Sequence, residues 1–228
     1  MHFSTLSIDM RPAFFLSLAV CVARVVLGAK DVWVIRHCDK PSDDSSDCCS
    51  SQGEARAQGW AAYFKSQGVS SSSSSLNVVT SNFELKSSSS LCIKGVSPAN
   101  TDDSCQGSQR MYDTAFLLAQ EMSYQGSLSS KYCSGNDDGP KVASYVKSQP
   151  QASQLVVWEH KQIVDIIRGF GINLSSWPSD LDDTYNIVFH VELSSPAVLS
   201  YSCYNYQNGS NKCDSGVTSW LRDYDQTK

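Results

Sequence analysis

Short apolar segments alternate with longer amphipathic segments along the chain, and this alternation most narrows the choice of fold. Residues 32–35 and 76–81 are short, apolar and rich in β-branched side chains, as buried strands are. Residues 52–66, between them, place small residues on one helical face. A strand, a helix and a second strand in this order predict a crossover between parallel strands. We therefore expect an α/β fold with a mostly parallel central sheet.

The rest of the chain continues in the same way. Further helices are predicted over residues 108–122, 142–149 and 163–170, and further strands over residues 155–158, 184–193 and 197–206. The serine-rich residues 82–107 indicate an irregular insertion within the domain, not a linker. The length of 228 residues fits one domain. We expect a three-layer α/β/α architecture that ends in a disulfide-pinned β hairpin.

The amino terminus carries the pattern of a secretory signal peptide. An apolar run over residues 13–23 follows a basic residue and ends in small residues, so we expect residues 1–29 to be removed and residues 30–228 to form the mature domain. A membrane anchor is the alternative, but the run is shorter than the ~20 residues that span a bilayer. Asn173 and Asn208 begin glycosylation sequons. A secreted or luminal glycoprotein without stable membrane association is expected.

Cysteine usage agrees with export. The chain has nine cysteines, and the loss of Cys21 with the leader leaves an even number, as an oxidised compartment favours. Cys203 and Cys213 flank a short segment typical of a bridged hairpin. Cys92 with Cys105 is a second predicted pair, within the insertion.

Two predicted strands deliver histidines to one edge of the sheet. Arg36 and His37 follow the first strand, and Glu159 and His160 follow a later one. Residues beyond the carboxyl ends of parallel strands gather at one crevice. Arg110 lies in the first turn of a predicted helix, where a cation opposes the helix dipole. Either an anion binds there or Arg110 is an ordinary exposed arginine. The pattern indicates an enzyme.

These segments also resemble a known family. Residues 34–41 (VIRHCDKP) resemble the opening of the histidine phosphatase superfamily, which has the phosphoglycerate mutase-like fold. Residues 156–163 (VVWEHKQI) and 177–180 (WPSD) are similar to the second histidine region of a phosphatase-like subgroup. The resemblance spans roughly residues 31–190 and implies hydrolysis of phosphomonoesters.

The resemblance also implies a role for each site residue. His37 would be the nucleophile that forms a phosphohistidine, with its other ring nitrogen oriented by a backbone carbonyl. Arg36 and Arg110 would hold the phosphate oxygens, because guanidinium matches phosphate in bidentate geometry. His160 would donate to a phosphate oxygen, and Lys40 would assist substrate binding. No cofactor is implied, and His37 is expected at a cleft rim.

The sequence indicates the proton donor to the leaving group less clearly than it indicates the histidines and arginines. Glu84, after the second strand, and Asp39 are the candidates. Strand alternation would turn Glu159 away from the site, so we expect it to be a structural partner. Residues 180–183 are interpreted as a solvated turn. Cys38 is either a thiol beside the site or half of a disulfide.

Three functions fit these features. The first is a secreted phosphatase acting on a phosphorylated small molecule or a phosphoprotein. The second is a phosphoglycerate mutase-like phosphotransferase, and the third is a catalytically inactive binding glycoprotein on the same fold. The two histidines as metal ligands are a further alternative, but no third ligand lies at a suitable spacing, so no metal is expected. The net charge of −5 argues against nucleic-acid binding.

Overall fold

The computed structural model describes residues 30–42, 46–83, 91–93, 105, 108–133 and 138–224. Residues 1–29, Glu84 and most of the insertion at 82–107 lie outside the described residues. The elements are, in chain order, β1 (Lys30–Arg36), α1 (Ser51–Ser66), β2 (Leu76–Asn82), α2 (Arg110–Met122), β3 (Ser129–Cys133), α3 (Gly139–Ser148), β4 (Ser153–Trp158), α4 (His160–Gly169), β5 (Ile187–Leu193), β6 (Val198–Cys203) and α5 (Ser215–Leu221).

The six strands form one mixed sheet in the order β3-β2-β4-β1-β5-β6. The first four of these are mutually parallel, and β1 and β4 lie side by side near the centre. β5 pairs antiparallel with β1, and β6 pairs antiparallel with β5. The expected α/β class is confirmed, and the sheet is mixed because its last two strands form a hairpin.

Alternate residues of β1 enter two apolar clusters. Val32 and Val34 pack with residues of α3, α4 and α5. Trp33 and Ile35 pack with residues of α1 and α2. Because successive strand side chains point to opposite faces, both faces of β1 are covered. This explains why the strand is a continuous apolar run rather than an alternating one.

A glycine with a positive φ follows each of two helices. Gly68 follows α1 with a φ of +74°, and Gly171 follows α4 with a φ of +94°. This left-handed conformation costs glycine little, because it has no Cβ. At the other end of α1, the Ser50 hydroxyl accepts a hydrogen bond from the Gly53 N–H at 3.0 Å.

Two elements escape sequence prediction. β3 is a partly exposed edge strand with the sequence SSKYC, so it carries no apolar run. α5 spans less than two full turns, too short for helical periodicity to stand out. The predicted strand over 184–193 begins only at Ile187, because the preceding residues form a loop at the site described below.

Four disulfides join the described cysteines in pairs: Cys38–Cys49, Cys48–Cys92, Cys105–Cys133 and Cys203–Cys213. The predicted bridge after the β5–β6 hairpin is confirmed. The predicted pairing of Cys92 with Cys105 is wrong, because each of these cysteines is tied to an element outside the insertion. Cys92 reaches the segment before α1, and Cys105 reaches the end of β3. The spacing of cysteines along the chain does not show which of them lie close together in the fold.

Within the described ranges, no helix has the length and apolar character needed to cross a bilayer.

Candidate active site

The carboxyl ends of β1 and β4 place both histidines at one edge of the sheet. Arg36 pairs with Trp158 at the last register position of the two parallel strands. The His37 N–H then donates to the Trp158 carbonyl at 3.0 Å. His160 follows two residues later as the first residue of α4. The prediction that the two strand ends lie together is therefore confirmed.

His37 is held in one orientation by its own neighbour. Its Nδ1 lies 2.7 Å from the Cys38 carbonyl oxygen. A carbonyl can only accept, so Nδ1 carries the proton and the lone pair is on Nε2. Burial, followed by the charges of Arg36 and Arg110, lowers the pKa of His37 to about 3. The ring is therefore a neutral base at neutral pH.

His37 lies deeper than expected. Its exposed fraction is 2%, whereas the sequence placed it at a cleft rim. The reason is that β1 is central in the sheet and the following residue, Cys38, is tied to Cys49 by a disulfide. This bridge also decides between the two alternatives for Cys38, which is not a free thiol.

Arg36 is buried and fastened to the loop before β5. Its Nη1 donates to the carbonyl of Asp182 and, at 3.1 Å, to the carbonyl of Thr184. The guanidinium carbon lies 4.0 Å from the centre of the Tyr185 ring, a cation–π contact. Among the described residues, the buried Arg36 Nε has no hydrogen-bond partner. Burial lowers the pKa of Arg36, but an arginine keeps its charge in proteins.

Arg110 is the first residue of α2 and approaches the same strand end. Its Nη1 donates to the Ser46 carbonyl at 2.9 Å, and its buried Nε finds no partner in the described part of the chain. The Thr114 hydroxyl donates to the Arg110 carbonyl at 2.6 Å and accepts the Cys38 N–H at 2.8 Å. One hydroxyl thus joins the start of α2 to the residue after His37.

Replacement of Thr114 by valine should destabilise the protein by about 1–3 kcal/mol, because the buried Cys38 N–H would lose its acceptor. Urea unfolding measures this change. Thr218→Val is a matched control, because the exposed Thr218 hydroxyl also donates to a carbonyl four residues earlier but accepts no buried N–H. Equal losses for the two variants would contradict the bridging role of Thr114.

His160 lies between two carboxylates. Its Nδ1 is 2.7 Å from Glu159 Oε1, and its Nε2 is 3.1 Å from Asp182 Oδ1. The Trp177 ring packs edge-on against the imidazole, with ring centres 5.4 Å apart. Both ring nitrogens lie near carboxylate oxygens, but neither contact has the geometry of a hydrogen bond.

Glu159 has two structural roles, as the cap of α4 and as a partner of His160. It is the N-cap of α4 and accepts from the N–H groups of Lys161 and Gln162 at 3.0 and 3.2 Å. Burial raises its pKa, but the His160 contact and the two N–H donors outweigh this effect and lower the pKa to about 2. The expected structural role fits, but the expected orientation is wrong. The strand ends at Trp158, so its alternation does not extend to Glu159.

The other predicted residues are less central. Both Asp39 carboxylate oxygens accept from Arg56, at 2.7 and 3.0 Å, so this carboxylate is engaged in an ion pair. The Lys40 side chain is exposed, and its backbone contacts the Tyr185 hydroxyl. Glu84 lies outside the described residues.

Sequence reasoning missed the loop before β5. The sequence predicts a solvated turn over residues 180–183, yet Asp182 contacts His160 through its side chain and Arg36 through its carbonyl. Tyr185 packs against both Arg36 and His37. The Trp177 motif in the resemblance was the one signal that pointed to this loop. Nothing local distinguishes Asp182 from its acidic neighbours.

Within the described residues, no group of three or more His, Cys, Asp or Glu side chains is placed to hold a metal ion. No protein-family profile matches the chain, and a search of curated proteins finds no relative. The function is therefore argued from the geometry of the two histidines and two arginines.

Proposed function

We propose that the protein is a secreted histidine phosphatase that hydrolyses phosphomonoesters through a phosphohistidine on His37. The observation that carries this proposal is the state of the imidazole. Nδ1 is bound to the Cys38 carbonyl, and burial beside two arginines keeps the ring neutral with its lone pair on Nε2. A neutral, oriented nitrogen beside two fixed cations suits attack on a phosphate ester.

The remaining groups of the site would hold the phosphoryl group. Arg36 and Arg110 each have a buried Nε–H without a partner among the described residues, and a phosphate oxygen is an acceptor of the required kind. The His160 Nε2, now 3.1 Å from a carboxylate oxygen, would donate to a second oxygen. These donors are fixed before the substrate arrives, so little reorganisation opposes the transfer.

The fold and the cysteines support the same proposal. Four parallel strands with helices packed against both faces suit a three-layer, mostly parallel phosphoglycerate mutase-like domain, with the β5–β6 hairpin added at one edge. Four disulfides suit an oxidising compartment, in line with the predicted leader. Secretion disfavours the mutase alternative, because sugar-phosphate metabolism is intracellular. The substrate would be a phosphorylated small molecule or a phosphoprotein.

Hydrolysis of p-nitrophenyl phosphate by the oxidised protein tests the proposal. We expect turnover that a metal chelator does not reduce, because the cations that stabilise charge are arginines. Rapid quenching should also trap phosphate on the protein in an acid-labile, base-stable form, as a P–N bond requires. A folded protein that shows neither turnover nor trapped phosphate would favour the non-catalytic binding glycoprotein instead.

A further inference from the structure

The described carboxylates at this edge of the sheet include Asp39, Glu159, Asp182 and Asp183, and the first two are fully engaged. Asp39 accepts from Arg56 with both oxygens. Glu159 caps α4 with one oxygen and contacts His160 with the other, and its pKa is lowered to about 2. An ionised carboxylate with occupied oxygens is a poor proton donor. Asp182 and Asp183 remain, and Asp182 is the one that contacts His160.

Asp182 is anchored over the site but keeps a half-exposed side chain. Its carbonyl accepts from Arg36 Nη1, so the backbone is fixed against a buried cation. Its Oδ1 lies 3.1 Å from His160 Nε2, and 48% of the side chain is exposed. The carboxylate therefore lies next to the atom expected to hold a phosphate oxygen.

The direction of attack decides which side of the phosphorus Asp182 occupies. In phosphoryl transfer the attacking and leaving atoms lie roughly in line on opposite sides of the phosphorus. His37, with 2% exposure, is at the buried side, so the leaving group must lie toward solvent. The solvent-facing carboxyl beside His160 is that of Asp182.

We propose that Asp182 is the proton donor to the leaving group, an inference that rests on the proposed phosphatase function. The residue belongs to a loop that the sequence presents as an ordinary acidic turn. A phosphoryl dianion beside a carboxyl group favours its protonated form, because two negative charges repel. Substrate binding therefore prepares the donor.

Asp182 would give up one proton and regain one over the catalytic cycle. The His37 Nε2 lone pair forms the N–P bond, the ester P–O bond breaks, and the leaving oxygen takes the Asp182 proton to depart as an alcohol. A water molecule then attacks the phosphohistidine and gives one proton to the Asp182 carboxylate. The P–N bond breaks, neutral His37 is restored, and inorganic phosphate leaves with Asp182 protonated again.

Leaving-group dependence tests the role of Asp182. We expect Asp182→Asn to lower kcat/KM for p-nitrophenyl phosphate by about three-fold and for phenyl phosphate or an alkyl phosphate by about 10²–10³-fold, because only poor leaving groups need a proton. Asparagine keeps the side-chain shape and the carbonyl that binds Arg36. A merely structural role would give the same loss on every substrate.

Asp183→Asn is the matched control, since Asp183 is the exposed neighbouring carboxylate. It should leave the leaving-group dependence of the wild type unchanged. Equal losses across the series, or no loss in Asp182→Asn, would overturn the role of Asp182 while the phosphatase function stands. Absence of turnover by the wild-type protein on every substrate would overturn both.

Discussion

Replacement of His37 by asparagine should abolish the proposed phosphatase turnover. Asparagine can still donate to the Cys38 carbonyl in place of Nδ1, but it has no nucleophilic nitrogen in place of Nε2. We expect kcat to fall by about 10⁴-fold or more, the scale on which loss of a covalent nucleophile acts. Because His37 is neutral with a pKa of about 3, the loss should appear at every pH above about 4. Steady-state hydrolysis of p-nitrophenyl phosphate measures it.

His190→Asn is the matched control for this variant. His190 lies on β5, where its Nε2 is 2.8 Å from Asp31 Oδ1 and its ring stacks on Trp33. In the described part of the chain its side chain contacts Asp31, Trp33 and Ser200 and none of the proposed site residues, so turnover should be retained. Circular dichroism should show both variants folded. If His37→Asn kept turnover within ten-fold of the wild type, His37 would not be the nucleophile.

Asp113→Asn should stabilise the protein strongly at pH 8 and by much less at pH 5. Asp113 is fully buried in α2, and neither of its carboxylate oxygens has a hydrogen-bond partner in the described chain. Burial, with the charge of Glu54 as a second cause, raises its pKa from 3.8 to about 7. The folded protein therefore favours the neutral carboxyl group.

The pH dependence follows from this raised pKa. Between pH 4 and 7 the folded state binds the Asp113 proton more tightly than the unfolded state, so the free energy of unfolding falls as the pH rises. Above pH 7 the full penalty applies, on the order of 4 kcal/mol. Asparagine is neutral at every pH and removes this penalty. Urea unfolding at pH 5 and pH 8 measures the difference.

Two further variants separate the causes. Glu54→Gln should remove the smaller part of the pH dependence, since Glu54 is the second cause of the shift. Asp165→Asn, at an exposed carboxylate paired with Arg168, should change stability by no more than about 0.5 kcal/mol. A pH profile of Asp113→Asn that parallels the wild type would show that Asp113 stays ionised in the folded protein.

The sequence predicted most of the elements because each depends on local pattern. β1 and β4 are largely apolar and β-branched, and α1 and α4 are each followed by a glycine in the left-handed conformation, which favours that residue. The edge strand β3 was not predicted, because a half-exposed strand does not need a run of apolar residues. His37 and His160 were recognisable as site candidates because each follows a buried strand.

The candidate site was predictable only in part. Arg36 and His37 could be placed at a strand end, but their partners come from a loop about 146 residues away along the chain. Asp182 is one of several acidic residues in that loop, and only the path of the chain before β5 brings it to His160. The same holds for Cys92 and Cys105, whose partners lie on separate elements.

The sequence by itself therefore determined the α/β class, the two strand ends that carry the histidines, and the disulfide after β6. The tertiary structure alone decided the antiparallel pairing of β5 with β1, three of the disulfides, the burial of His37 and the position of Asp182. The physical reason is the range of the interactions. The repeat of apolar residues that marks a helix or a strand is encoded by a few neighbouring residues. Contacts between side chains far apart in the sequence depend instead on the order of the strands and on the course of the loops.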